Sequence, residues 1–241
     1  MSTTQAKEII LDRISVEVFL GHNAIGVYIA LSKHSSALNA LPYHQALGTI
    51  QRHAFDAFIL SLCKLYERPS ERYPNYSIPT TLKILRADPC CLAAGIQNSV
   101  GLEQFIRTHV DNNFAVRGPD DITRIPSLLL DHFSDHCPRT PPRDGNKLDQ
   151  TLDALKVLRD KRVAHHEDAD LASLSKTDLD GALRLLAFAQ TYINLVGSGF
   201  FGFSQETEVA VDRFNPNKSV VWPELIRMIG TLEQASGHVR K

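Results

Sequence analysis

Phe55-Asp-Ala-Phe-Ile-Leu-Ser-Leu-Cys-Lys-Leu-Tyr-Glu67 is the stretch whose reading decides the fold. Its apolar residues Phe55, Phe58, Ile59 and Leu62 recur at steps of three and four, the period of one helical face rather than of a strand. Leu47 and Ile50 extend the same stripe toward the N-terminus. Pro42 fits the first turn, where its missing N–H costs nothing. The spacing therefore predicts one helix from Pro42 to about Tyr66, ended by Pro69, Pro74 and the polar residues between them. Cys63 falls inside this pattern and reads as a small core residue.

The residues on either side read the same way. From Ala6 to Leu38 the apolar positions Ile9, Ile10, Ile14, Val18, Ala24, Ile25, Tyr28 and Leu31 mark one long helix, with Gly21 and Gly26 permitting a bend or close packing. Pro79 to Leu85 predicts a third, shorter helix with Ser77 as its cap. Helices are also predicted from Lys147 to about His166, from Asp178 to Val196, and from Trp222 to Leu232 with Pro223 near its start. The middle, Ala87 to Asn146, is less regular: short helices over Gly101–Val110 and Ile125–Phe133 precede a loop, Cys137-Pro-Arg-Thr-Pro-Pro-Arg-Asp-Gly145, whose prolines forbid regular pairing. The Phe-rich run Gly199 to Val211 predicts a short hairpin. The expected architecture is an all-α bundle of long antiparallel helices. It forms a single domain over 1–241, with an irregular insertion at about 87–146 and a C-terminal extension at about 197–241.

The composition sets bounds. With 26 basic and 27 acidic side chains the formal net charge is −1, so any nucleic-acid surface must be local. No run approaches the roughly 18 unbroken apolar residues of a membrane span, and the first residues lack a signal-peptide pattern. Cys63, Cys90, Cys91 and Cys137 lack the density and spacing of a secreted disulfide scaffold, so the expected compartment is the cytoplasm, with no membrane association.

Chemistry concentrates in Leu158-Arg-Asp-Lys-Arg-Val-Ala-His-His-Glu-Asp-Ala-Asp170. Arg159, Arg162 and His166 follow one another at single-turn spacing on nearly one helical face. His165 lies roughly 120° around an ideal helix from Arg159. For both to serve one site, the helix must end or distort there, or a second subunit must complete it. An arginine fork suits a phosphate and its developing charge, and a histidine can pass a proton near neutral pH. On RNA the 2′-hydroxyl is an internal nucleophile, so no metal is required. The competing reading is plain: cations near a helix C-terminus favour the macrodipole and are common for that reason alone.

Arg159-Asp160, four residues, then His165 resembles the Arg-(Asn/Asp/His)-x-x-x-x-His motif of the HEPN superfamily. Phe55 to Glu67, the block Ser77-Ile-Pro-Thr-Thr-Leu82, and Arg159-Asp-Lys-Arg-Val-Ala-His165 are similar to the AbiU2-like branch of that superfamily, over roughly residues 45–86 and 147–196. The resemblance implies a helical bundle and a metal-independent ribonuclease in abortive phage infection or toxin-like defence. It also implies a homodimer whose paired motifs form a composite site, with an antitoxin protein as a further partner. Carried over by position, Arg159 binds the scissile phosphate, His165 transfers a proton and Asp160 orients them. Lys161, Arg162 and His166 contribute to RNA or phosphate binding. Asp160 stands where Asn is commoner, adding negative charge beside a phosphate, and His166 duplicates the imidazole. No cofactor or metal is expected.

Other patterns carry less. His132 and His136, with Asp135 and Cys137 beside them, have a spacing that can hold zinc, but no second ligand pair matches it and a solvated helix end is the better reading. Gly197-Ser-Gly-Phe-Phe-Gly202 fits G-x-G-x-x-G, but a helix rather than a strand precedes it, so the glycines read as a helix end. The aromatic residues from Gly199 to Phe203 are expected in the core rather than stacked on nucleobases. No G-x-S-x-G elbow supports a hydrolase triad. Three hypotheses follow: a HEPN-type endoribonuclease, a catalytically silent HEPN module binding RNA, a nucleotide or a partner protein, and a structural helical protein.

Overall fold

The computed structural model describes residues 3–39, 43–70, 72, 75–93, 95–161, 176–202 and 227. The chain is all-α, with no strand among the described residues. Helix α1 (Thr3–Ile9) runs through a π-helical turn (Ile10–Ile14) into α2 (Ser15–Lys33), followed by the short α3 (Ser35–Leu38) and the long α4 (His44–Leu65). These elements realise the two long helices expected over 6–38 and 42–66. Their apolar stripes supply Ile10, Ile14, Phe58, Ile59 and Leu62 to the core. Gln51 donates to Ser32 Oγ at 2.7 Å and Lys64 donates to Glu17 Oε1 at 2.8 Å. The start of α4 thus lies at the end of α2, and the end of α4 at its start, so the pair is antiparallel.

Within Thr4–Lys33 an 18-residue window, with a mean hydropathy of 1.5, is apolar enough to cross a bilayer by length and composition. The run is not an unbroken apolar one, since Asp12, Arg13 and Glu17 interrupt it. About a third of that window, 33%, is buried inside the fold.

Helix α5 (Ile78–Ala87) starts where expected. Ser77 Oγ accepts from Thr80 N and donates to Glu67 O at 2.6 Å, tying the α5 start to the chain leaving α4. The segment 87–146 is more regular than its sequence suggests. It carries α6 (Cys90–Ala93), α7 (Ser99–His109) and α8 (Pro119–His136), and it delivers Leu102, Ile106, Phe114, Ile125, Leu129, Leu130 and Phe133 to the same core. The expected helix over 125–133 is the middle of an 18-residue one. Pro126 reads as a breaker, yet α8 absorbs it with the ring buried.

The second half closes the bundle with α9 (Lys147–Arg159) and α10 (Lys176–Tyr192), then a π-helical turn (Ile193–Ser198) and α11 (Gly199–Phe201). Asn146 caps α9, its side chain accepting from Leu148 N and Asp149 N. Two buried phenols join the layers, each with its hydroxyl satisfied. Tyr66 OH donates to Leu185 O, and Tyr192 OH pairs with Thr81 Oγ1 at 2.7 Å. Residues Gly199–Phe201 are helical, not the first strand of a hairpin. A Cβ on Gly199 would come within 2.7 Å of Leu102, so this turn packs directly against α7. The rest of the expected hairpin, and the helix over 222–232 apart from Arg227, lie outside the described residues.

Candidate functional site

Helix α9 carries the first residues of the predicted site. The side chain of Arg159, at its last residue, is 30% exposed and donates from Nε and Nη2 to a single oxygen, Asp160 Oδ1, at 2.8 and 2.7 Å. Asp160 keeps helical backbone angles and is itself exposed, as is Lys161. Partial burial opposes the Arg159 charge. The Asp160 carboxylate, helped by Glu67, outweighs that cost and holds the guanidinium even more firmly protonated than usual. Arg159, Asp160 and Lys161 are therefore together at the end of α9, whereas Arg162, His165 and His166 lie outside the described residues.

Two basic residues that motif reading missed belong to this region, Lys156 beside Arg159 on α9 and Arg68 near Lys156. Lys156, one turn earlier on α9, donates to Thr140 Oγ1 at 3.0 Å. Burial pulls its pKa down, and the nearby Arg159 and Arg68 cations add to that fall. Arg68 follows the end of α4. The signal for Lys156 was its three-residue spacing from Arg159; Arg68 had none, because only the packing of α4 against α9 brings it near. Cys63, beneath them, is 1% exposed, and burial pushes its thiol up to about 11 despite the cations. It is a core residue, as its place in the helical stripe predicts, and not a nucleophile at neutral pH.

The His132–His136 pattern forms an aromatic stack rather than a ligand set. The two rings stack at 4.3 Å between centroids, and the Phe105 ring stands edge-on to His132 at 5.3 Å. Burial, then the neighbouring His136 and His109, lower the pKa of His132. Cys137 is buried, not part of a solvated helix end, and burial raises its thiol to about 12. Among the described residues no group of three or more His, Cys, Asp or Glu is placed to hold a metal ion.

The glycines of Gly197–Gly202 close a helical run: Gly197 and Gly199 are buried, and Gly202 takes the left-handed backbone, φ +65°, that ends many helices. Phe200 is a core residue, 4% exposed. Compared with family models, with curated proteins and with solved structures, the chain matches none.

Proposed function

We propose that this chain is a HEPN-type, metal-independent endoribonuclease that acts as a homodimer in a phage-defence or toxin role. The observation that carries the reading is the presentation of Arg159: it ends α9 at the surface, with its charge reinforced by Asp160 and with Lys156 and Arg68 close by. The sequence spacing to His165 adds the proton-transfer group. In the proposed reaction Arg159 binds the scissile phosphate and stabilises its added charge. His165 takes the 2′-hydroxyl proton, the 2′-oxygen attacks phosphorus, and the 5′-oxygen leaves and takes up a proton from solvent, giving a 2′,3′-cyclic phosphate and a 5′-hydroxyl. Lys161, Arg162 and His166 hold flanking phosphates, and the second subunit completes the site. A cytoplasmic location and an antitoxin partner belong to the same reading.

The test is cleavage of a mixed RNA pool by purified protein in EDTA, beside His165→Ala and Arg159→Ala. Cleavage by the wild type alone, leaving cyclic phosphate ends, is the expected result. Bound but uncut RNA would instead favour the silent binding module. One observation supports that second reading: Asp160 Oδ1 already accepts from both Nε and Nη2, the edge of Arg159 that would fork a phosphate.

A further inference from the structure

We propose that the groove between α2 and α4 is the docking site of this chain's own C-terminal segment, residues 222–232. Helix α2 is apolar on two faces. Val18, Ile25, Ala30 and Leu31 are buried, whereas Val16 and Leu20, one turn apart on the outer side, are nearly half exposed. A helix that is apolar all round is one with something packed on each side of it. On the outer side, beside α4, runs a groove of about 580 Å³. Leu20, Ala24 and Val27 of α2 and Ile50, Ala54 and Ala57 of α4 line it. The alanines leave room for a ridge of side chains from a third helix to enter. The acid and the lysine that line it, Glu17 and Lys64, are already paired with each other at 2.8 Å. The groove therefore offers apolar surface and no unmet charge, which suits an apolar helical stripe rather than an ionic ligand.

The sequence supplies such a stripe. Trp222, Leu225, Ile226 and Ile229 recur at i, i+3, i+4 and i+7, the period of one helical face. At 3.6 residues per turn they share an arc of roughly 100°, with Glu224, Arg227 and Thr231 on the opposite side. Arg227, the residue of this segment that the structure describes, is helical and exposed, as the polar side of a docked helix must be.

Size and tether agree with this occupant. A helix over 222–232 is about 16 Å long, and the part of α4 that borders the groove, Ile50 to Lys64, is about 21 Å. The chain between Gly202 and Trp222 can span up to roughly 60 Å. That exceeds the roughly 45 Å width of a domain of this size. Tethering also sets an effective concentration of about the millimolar range, so even a weak contact keeps the groove filled. The groove shares no residue with the Arg159 site, and docking does not depend on cleavage there.

Trp222 is the chain's single tryptophan, so its fluorescence reports on this segment alone. The experiment measures emission and acrylamide quenching of the full chain, beside Ala57→Glu, Ile50→Asp, Ile229→Asp and, as a control, Val100→Glu at an exposed position on α7. Each variant is first shown folded by circular dichroism and thermal melting. Ala57→Glu and Ile50→Asp should each move the emission to longer wavelength and raise the quenching constant at least twofold. Ile229→Asp should do the same from the other side of the contact, and Val100→Glu should change neither quantity. The wild-type spectrum should hold over a hundredfold dilution. Emission indifferent to Ala57 and Ile50 would overturn the proposal. A shift produced by dilution alone would overturn it too, because the segment would then sit in the groove of a second copy. Two further results would replace the occupant, each with Trp222 unmoved by the groove variants. A dimer that Ala57→Glu dissociates, read by light scattering, would put a second copy's surface there. Binding to phosphatidylcholine–phosphatidylglycerol vesicles that Ala57→Glu abolishes would put a lipid surface there.

Discussion

Arg143 clasps Asp149 side-on: Nε donates to Oδ2 at 2.6 Å and Nη2 to Oδ1 at 2.8 Å. Asp149 is wholly buried in the first turn of α9, and it also accepts from the backbone N–H groups of Arg139 and Arg143, both at 3.0 Å. Nη2 of the same guanidinium reaches Cys137 O at 3.0 Å, and Nη1 reaches Asp135 O. One ion pair thus satisfies a carboxylate, the end of α8 and the proline-rich segment 137–146, which has no regular structure to satisfy itself.

Asp149→Ala should destabilise the fold by about 3–5 kcal/mol, the cost of leaving a partly buried charge without its partner. Burial by itself would raise the Asp149 pKa. The hydrogen bonds from Arg143 and the two backbone donors overcome that and hold it below the ordinary 3.8. A depressed carboxylate contributes its stability above the unfolded pKa and loses it as the pH falls through the lower folded value. Urea unfolding at pH 7 checks the first statement; a variant as stable as the wild type would show that the clasp adds nothing.

His22 gives a second, separate acid window. Burial lowers its pKa from 6.5 to about 4, against a hydrogen bond that it donates to the Gln190 side chain and that favours the charged form. Below pH 6.5 the unfolded chain takes up a proton that the folded chain refuses. Stability should therefore decline as the pH falls from 6.5 toward 4, by roughly 2–3 kcal/mol in all. Unfolding free energies across that range, for the wild type and His22→Gln, decide it: the slope should flatten in the variant, and identical slopes would remove His22 as the cause.

The helices that build the core were legible because their apolar spacing states its own period. Phe55, Phe58, Ile59 and Leu62 predicted α4, and Ser77 with Pro79 predicted the start of α5. The length of α8 was not legible, because Pro126 signals a break unless the buried surroundings that tolerate it are known. Arg159 and Asp160 could be singled out as neighbours in sequence. Lys156 carried a signal, its three-residue spacing from Arg159 on α9, whereas Arg68 could not be joined to them, since only the packing of α4 on α9 brings it near Lys156.

Asp160→Asn tests what Asp160 does to the site. The Arg159–Asp160 pair is partly exposed, so its loss should change stability by less than about 1 kcal/mol. Freed of a competing carboxylate, Arg159 should bind RNA phosphate roughly two- to fivefold more tightly, the equivalent of about 0.5–1 kcal/mol. Fluorescence anisotropy with a labelled, non-cleavable RNA measures it. Weaker binding in Asp160→Asn would mean that the carboxylate positions Arg159 for the phosphate instead of competing for it.

Helices α9 and α10 meet at Gly181, where an added Cβ would lie 2.5 Å from Thr151 Oγ1 and 2.9 Å from its Cγ2. No side chain fits there unless Thr151 gives way. Thr151 Oγ1 is tied back to Lys147 O at 2.9 Å, so rotation would break a hydrogen bond. Gly181→Ala should therefore cost about 1–3 kcal/mol, even though alanine is the better helix former. Thr151→Ala alone should cost little, because its hydroxyl bonds only within its own helix at an exposed position. Combined, the two should cost clearly less than Gly181→Ala alone: Thr151→Ala removes the two closest contacts and leaves only its Cβ, 3.2 Å from the new methyl, while alanine's helix propensity acts in favour. Melting all four members of this double-mutant cycle measures the coupling. Additive losses would show that the helices do not approach as closely at Gly181 as the packing requires.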